Sequence, residues 1–434
     1  MQITNAVKVD IPKPTTNYRW YAVFLVSGII AISWIDRVNF AAATPTLMRV
    51  FDLSPTTMGI VMSAFYWPYV ISQIPSGWLV SRFGSKLVVF WSCLVWGITT
   101  ALTSIVNGFY SFLAIRVLLG LSEAPSFPAA ARVVSVWIPA CERTTASALF
   151  DASARAGNAF CMPFVVWLIV QYGWKASFVI TGGLAILYSF VWLKFYHEPD
   201  EHPKVSESEL AYLRQDEVVD ATGKVEKETS IPVIKLFTYG RYNLMCLGYF
   251  QYTYVYTAFI MWIPSFLVQS KGFSLEEMGF AAMWPYIIGF FAELAGGIIC
   301  DSWRKHGGTL TQIRRFGTVT GFLGAALGLI VVINSSSGML AIIGLSIAMG
   351  GISFGSANFW AIPNDLAPYG QGGGYAGGMN FIGQMGSLVA PIVSGLVIST
   401  TWGYSGMLYV MIGSTIIGAL AYALNNYDKK IVAR

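Results

Sequence analysis

The chain has 434 residues, 55% of them hydrophobic and only 11% charged, with a net charge of +5. Soluble domains carry about a quarter charged residues, so this composition, at a mean hydropathy of +0.59, excludes that class and describes an integral membrane protein. The positive balance is not a nucleic-acid signature, because its distribution follows a membrane topology.

Residues 1–19 are polar and lack the short apolar core and small-residue cleavage site of a signal peptide, so they read as a cytoplasmic tail. Apolar runs of helical length then begin near residues 20, 57, 87, 109, 145 and 175. After a polar stretch they resume near 242, 275, 315, 338, 372 and 402. At about 20 residues per crossing, these make twelve transmembrane helices. With both termini inside, 21 of the 27 Lys and Arg lie on the cytoplasmic side. Arg49, Lys175 and Lys271 fall outside, and Arg37, Arg116 and Arg155 lie within spans. The opposite orientation inverts this bias, so the positive-inside rule selects the first.

The expected organisation is a tail at 1–19, a six-helix bundle at 20–196, a cytoplasmic loop at 197–240, a second bundle at 241–425 and a tail at 426–434. Inside the loop, SESELAYLRQ starts at a serine with a glutamate three residues later. That is the pattern of a short amphipathic helix on the membrane face, with a solvated linker as the alternative. The two bundles echo one another. GWLVSRFGSK (77–86) follows the second span and GGIICDSWRKHGG (296–308) follows the eighth, each a glycine-rich helix end running into a basic turn. Arg82 and Gly84 in the first copy, and Asp301 and Arg304 in the second, are candidate gating residues. Two pseudo-symmetric bundles related about the membrane normal place a substrate site near the midplane between them.

Seven ionisable residues stand inside the apolar runs: Asp36, Arg37, Arg116, Glu123, Asp151, Arg155 and Glu293. Each costs about 2.5–3.5 kcal/mol at the bilayer centre, so each needs a reason to persist. Three arginines make a cavity that attracts an anion, because a guanidinium stays charged and its fork matches a carboxylate. Neighbouring acids neutralise the site when it is empty and can take up protons. Arg116 and Glu123 are two helical turns apart and share a face. Asp151 and Arg155 are one turn apart, which also suits a plain structural pair. Glu293 has no arginine in its own span and serves as a second proton or substrate contact, or as a helix-packing hydrogen bond. Aromatic and amide groups in SAFYWPY (63–69), FWAIPN (359–364) and span eleven, including Tyr69, Asn358, Trp360 and Asn380, suit a polyhydroxylated ligand, with packing as the alternative for most single aromatics. The five cysteines are scattered without close pairs and the three histidines fall in loops, so neither a disulfide framework nor a metal site is expected.

At the fourth span, RVLLGLSEAPSFPAAARVVSVWIPACER (116–143) resembles the signature of the anion:cation symporter family of the major facilitator superfamily. The matching features are Arg116, Gly120, Glu123, Ala124, Phe127, Pro128, Trp137, Pro139, Glu142 and Arg143. IDRVN in span one, SQIPSGWLVSRFGSK after span two and GGMNFIGQMGSLVAPIVSG in span eleven are similar too, so the likeness covers the whole chain. It is nearest to the bacterial galactonate, glucarate and hexuronate proton symporters. The resemblance implies a twelve-helix, all-α fold with alternating access in the inner membrane, as a monomer without a cofactor, with protons as the coupling ion. It also implies that Arg37 holds the substrate carboxylate, that Asp36 and Glu123 are proton sites with Arg116 coupled to Glu123, and that Tyr69, Trp360 and Asn380 line the cavity.

Two departures stand out. Ser81 occupies a turn position that usually carries an acid, while the second copy keeps Asp301. Asp151 and Arg155 add an ion pair where the galactonate-type carriers have none, which opens the substrate to tartrate, phthalate and other non-sugar carboxylates. The expected function is proton-coupled import of a small organic anion. The rivals are an anion exchanger or facilitator on the same fold, an exporter of aromatic compounds, and a membrane sensor. No nucleotide loop, metal cluster or nucleophile–base pairing points to an enzyme.

Overall fold

The structure is a computed structural model describing residues 14–139, 142–214, 233–367 and 372–431. The first half comprises α1 (Tyr18–Val50), α2 (Pro55–Ala64), α3 (Tyr66–Leu102), α4 (Phe109–Glu123), α5 (Ser126–Trp137) and α6 (Arg143–Phe195). Two short helices follow, α7 (Glu207–Leu213) and α8 (Val233–Leu236). The second half comprises α9 (Gly240–Gln269), α10 (Leu275–Ala281), α11 (Met283–Lys305), α12 (Leu310–Ile333), α13 (Gly338–Phe359), α14 (Ile362–Leu366), α15 (Gly372–Ile398) and α16 (Gly403–Leu424). No strand occurs among the described residues, so the fold is all-α.

Local chemistry sets the boundaries. Ser54 caps α2 ahead of Pro55, whose missing N–H costs nothing in the first turn. Ser274 with Glu277, and Thr309 with Gln312, form reciprocal capping boxes. α3 breaks at Gly84 (φ 78°) and α6 at Gly173 (φ 83°), left-handed values that glycine adopts without a Cβ clash. Gly307 (φ 89°) and Gly403 (φ 53°) repeat the device at the corresponding turns of the second half. Counting these breaks, a helical stretch begins within a few residues of each start expected from the apolar runs. Nine stretches among the described residues are long and apolar enough to cross a membrane. α9 is not one of them. Its tyrosines (Tyr242, Tyr249, Tyr252, Tyr254 and Tyr256) lower its hydropathy, and it is buried among its neighbours along most of its length.

The two halves meet along α2 and α15 with almost no side chain between them. A Cβ on Gly59 would stand 2.4 Å from the Pro391 carbonyl oxygen, and one on Gly395 would stand 2.4 Å from that of Pro55. Thr56 bonds Ser399 (Oγ1 to Oγ, 2.8 Å), and Ser63 Oγ donates to the Leu388 carbonyl (2.6 Å). One apolar core runs across this seam, from Ala42 and Leu47 through Met62 and Val166 to Phe259, Trp262 and Met411. These contacts lie at the end of the bundle remote from the described chain ends. Nearer the chain ends the first half has its own core, around Val26, Phe65, Trp96 and Val133, against which the second half packs only Met385 and Leu388 among the described residues.

The stretch following α6 folds back onto the first half. Ser206 caps α7, accepting from Glu209 N (3.1 Å), as the sequence pattern anticipates. The Glu209 carboxylate does not complete the capping box. It turns instead to the start of α1, accepting from Tyr18 N (3.2 Å), Arg19 N (3.1 Å) and Arg19 Nη1 (3.3 Å). Arg19 also bridges to Glu142 (2.8 Å), to which Tyr212 donates (3.1 Å). A buried carboxylate thus supplies acceptors for the unpaired N–H groups of a long helix and a partner for a buried guanidinium. Glu209→Ala leaves Arg19 short of a charge partner. It is expected to cost about 3 kcal/mol, read as a lower unfolding temperature of the detergent-purified protein; an unchanged temperature contradicts this role for Glu209.

Candidate functional site

Gly120 decides how the site is assembled. A Cβ there would lie 1.9 Å from the Phe65 carbonyl oxygen, so only glycine lets α4 press against the α2–α3 joint. One turn to each side on α4 stand Arg116 and Glu123, both buried, and the close approach carries them to α1 and its Asp36–Arg37 pair.

The central contact is a salt bridge from Arg37 Nη2 to Glu123 Oε1, with side chains only 6% and 1% exposed. The Arg37 guanidinium is further enclosed by rings, 4.6 Å from the centroid of Trp34, 5.0 Å from Phe65 and 5.4 Å from Tyr69. Such faces attract a cation and are worth more once water is excluded. Arg116 sits 4.3 Å over Phe40 and 5.0 Å from Phe65, and donates to the Met62 carbonyl at 3.4 Å. Phe65 is therefore a ring that both guanidinium groups share. Asp36 accepts from Thr100 Oγ1 at 3.0 Å. Among the described residues, four atoms in this group are buried without a protein partner: Asp36 Oδ1, Arg37 Nε, Arg116 Nε and Glu123 Oε2. Buried polar atoms are normally satisfied. A cluster with acceptors and donors both unspent is one that a proton, water or an anion completes.

Facing this cluster is an aromatic wall from the second half. Tyr249, Tyr252 and Tyr256 stack in succession along α9, with centroids 5.5 and 5.8 Å apart. Tyr256 meets Trp34 edge-on at 6.1 Å and accepts from Asn158 Nδ2 at 3.3 Å, so it touches the first half twice. Trp360, half exposed, packs 5.9 Å from Tyr249. Asn380 Nδ2 donates to Gln73 Oε1 at 3.2 Å and its Oδ1 accepts from Gln384 Nε2 at 3.5 Å, forming an amide cluster across the halves.

Residues 26–391 match the model of the Major Facilitator Superfamily. The chain belongs to that superfamily. It is 36% identical over 426 residues to the probable galactarate/D-glucarate transporter GudP of Bacillus subtilis, covering 94% of this chain and 92% of that one. It is 29% identical to the D-galactonate transporter of an Escherichia coli strain, covering 98% and 99%. The D-xylose-proton symporter superposes with a TM-score of 0.74 at 13% identity, covering 95% of this chain and 99% of that one. A bacterial homolog of the human lysosomal transporter Spinster, solved inward-facing and unoccupied, gives the same score at 15% identity, covering 94% and 97%. The protein is thus a multi-pass membrane protein of a transporter superfamily, not an enzyme.

Within this fold the sequence-selected residues separate into groups. Asp36, Arg37, Arg116, Glu123 and Tyr69 come together as described. Arg37, not Arg116, is the hydrogen-bond partner of Glu123. The seven-residue spacing puts Arg116 about 10 Å away along the α4 axis, on the same face but beyond direct reach. Asn358 is withdrawn from the cavity. Its Oδ1 accepts from Arg314 (2.8 Å), which also bridges to Asp365 (2.7 Å), and its Nδ2 faces Cys300. Glu293 accepts from Ser356 Oγ at 3.0 Å, a bond between α11 and α13. Asp151 and Arg155 lie on α6, and their side chains fall outside the described residues.

At the glycine turns, where the sequence suggests gating residues, Arg82 stacks on Trp78 and Phe83, and Arg304 donates to the Gly308 carbonyl (3.2 Å); Asp301 is exposed on the last turn of α11. Ser81 only bonds its own helix, but Glu198, from beyond α6, accepts from Ser85 N (3.2 Å) and Arg132 (3.4 Å). An acid therefore does serve the Gly84 turn, from a distant part of the sequence. Sequence reasoning missed Trp34, Gln73, Thr100, Asn158 and Tyr256. Gln73 and Asn158 carry a usable signal as amides in apolar runs, whereas Thr100 has none.

Gly120→Ala forces backbone apart from backbone and is expected to destabilise the fold by about 3 kcal/mol or more, seen as loss of monodisperse protein on size-exclusion chromatography. Gly183→Ala, whose Cβ would meet nothing within 4 Å, is the neutral control. Equal yields from the two variants contradict the close approach.

Proposed function

We propose that the protein is a proton-coupled importer of sugar acids, working by alternating access across twelve transmembrane helices with both termini cytoplasmic. The observation that carries this reading is the buried Arg37–Glu123 pair with unspent atoms on both sides. A carboxylate cannot reach Arg37 while Glu123 holds it. Protonation of Glu123 removes its charge and frees the guanidinium for a substrate carboxylate, a bidentate partner of similar strength. Asp36 takes a proton in the same site, with Thr100 fixing its orientation. The relatives named for galactarate, D-glucarate and D-galactonate make hexarates and hexonates the first candidates.

The hydroxylated carbon chain then extends from Arg37 toward Gln73, Asn380 and Gln384, with a sugar face against Trp360. Amides serve hydroxyls as both donors and acceptors. A loaded, proton-neutralised site lets the halves close along the α2–α15 seam and part on the cytoplasmic side, where the lower proton concentration releases both cargoes. Two ligands that favour the same state are thermodynamically coupled, whichever binds first.

In proteoliposomes with a trapped pH dye and no membrane potential, external galactarate or D-glucarate is expected to acidify the lumen. Arg37→Ala is expected to lower substrate affinity by about 100-fold, the loss of a buried charge-assisted contact. No acidification, together with rapid exchange of labelled acid for unlabelled acid, moves the reading to an anion exchanger.

A further inference from the structure

On the outside of the first half, between α3 and α4, runs a groove of about 460 Å³ lined by Phe83, Leu87, Trp91, Val95, Leu118 and Leu121 among others. It lies within two of the stretches apolar enough to cross a membrane, and these six side chains all stand open to the outside. Its polar members are already satisfied. Ser92 Oγ donates to the Ser122 carbonyl, and Ser122 Oγ to that of Leu119. The groove therefore presents apolar surface alone, shaped as a trench rather than as the ridged face of a lipid-exposed helix.

The end of the groove near the Gly84 turn is positive. Arg82 is exposed and stacks on Trp78 (5.4 Å) and Phe83 (5.7 Å), and Phe83 is itself part of the lining. No carboxylate pairs with Arg82 among the described residues. The neighbouring position is Ser81, and the acid that serves this turn, Glu198, is spent on Ser85 N and Arg132. An unpaired guanidinium held by rings at the mouth of an apolar trench is complementary to one kind of molecule, an amphiphile with an anionic head.

We infer that this groove is a binding site for a single anionic phospholipid of the cytoplasmic leaflet, its acyl chain in the trench and its phosphate on Arg82. The membrane supplies that lipid to a trench facing the hydrocarbon, and long cationic side chains reach the headgroup level from such positions. The occupant spans α3 on both sides of its break at Gly84 and packs against the back of α4, whose other face carries Arg116 and Glu123. It is placed to bias the turn and the charged helix together. Lipid binding here does not depend on the substrate or on proton coupling.

The test is retention of lipid by the full-length protein, purified in mild detergent with equal phosphatidylglycerol and phosphatidylethanolamine and read by native mass spectrometry. One phosphatidylglycerol is expected to remain bound in preference to phosphatidylethanolamine, and Arg82→Gln is expected to reduce that retention about fivefold. Arg82→Lys keeps the charge and most of the binding. Leu121→Trp, which fills the trench, removes both lipids. Equal retention of the two lipids by the unaltered protein, or no loss with a monodisperse Arg82→Gln protein, overturns the proposal.

Discussion

An arginine and a glutamate out of reach of water have to answer one another, and the arrangement of the first half follows from how Arg37 and Glu123 do so. Each is costly alone in an apolar interior, and removing one partner of a buried pair costs about 3–5 kcal/mol because it strands the other. The pair is therefore stable only while both charges are present. Neutralising Glu123 without replacing it leaves a cation that calls for a new anion. Under the proposed function this contact would be a two-state element, and alternating access needs one whose balance both ligands can shift.

The backbone serves that element. Gly120 brings α4 against the Phe65 carbonyl, Phe65 contacts both guanidinium groups, and Trp34 and Tyr69 add two more rings around Arg37. Gly59 and Gly395 let α2 and α15 meet backbone to backbone at the end remote from the chain ends. The halves thus touch through small residues on one side, and across the aromatic and amide groups of Tyr256, Asn158, Gln73 and Asn380 deeper in. A seam of small residues separates cleanly, because no interdigitated side chains have to be withdrawn. Glu209 and Glu198 hold the connecting segment against the first half, so that part of the linker moves with the bundle it is bound to.

Much of this was legible in the residues. Charges in apolar runs are few enough that Asp36, Arg37, Arg116 and Glu123 identify themselves, and glycines beside basic turns mark the breaks at Gly84 and Gly307. What the sequence could not provide was partnership between distant segments. Helical spacing puts Arg116 and Glu123 on one face, but Glu123 bonds Arg37, eighty-six positions away. Asn358 and Asn380 look alike as amides in late spans, yet one is taken by Arg314 and the other faces Gln73. Thr100 is one of several hydroxyls in GITTALTS (97–104), with nothing to set it apart until Asp36 is placed beside it. The role of α9 is hidden for a related reason. The run from residue 242 reads as a span, but nothing in it shows that its tyrosines line the space between the halves.

The most direct measurement compares two modes of transport in one variant, Glu123→Gln. Its amide keeps the size of the carboxyl group but neither holds Arg37 by charge nor binds and releases a proton. This variant is expected still to exchange internal for external D-glucarate, while an imposed inward proton gradient no longer drives accumulation above the external concentration. Accumulation equal to that of the unaltered protein would show that protons do not pass through Glu123, and would contradict a coupling role for its pairing with Arg37.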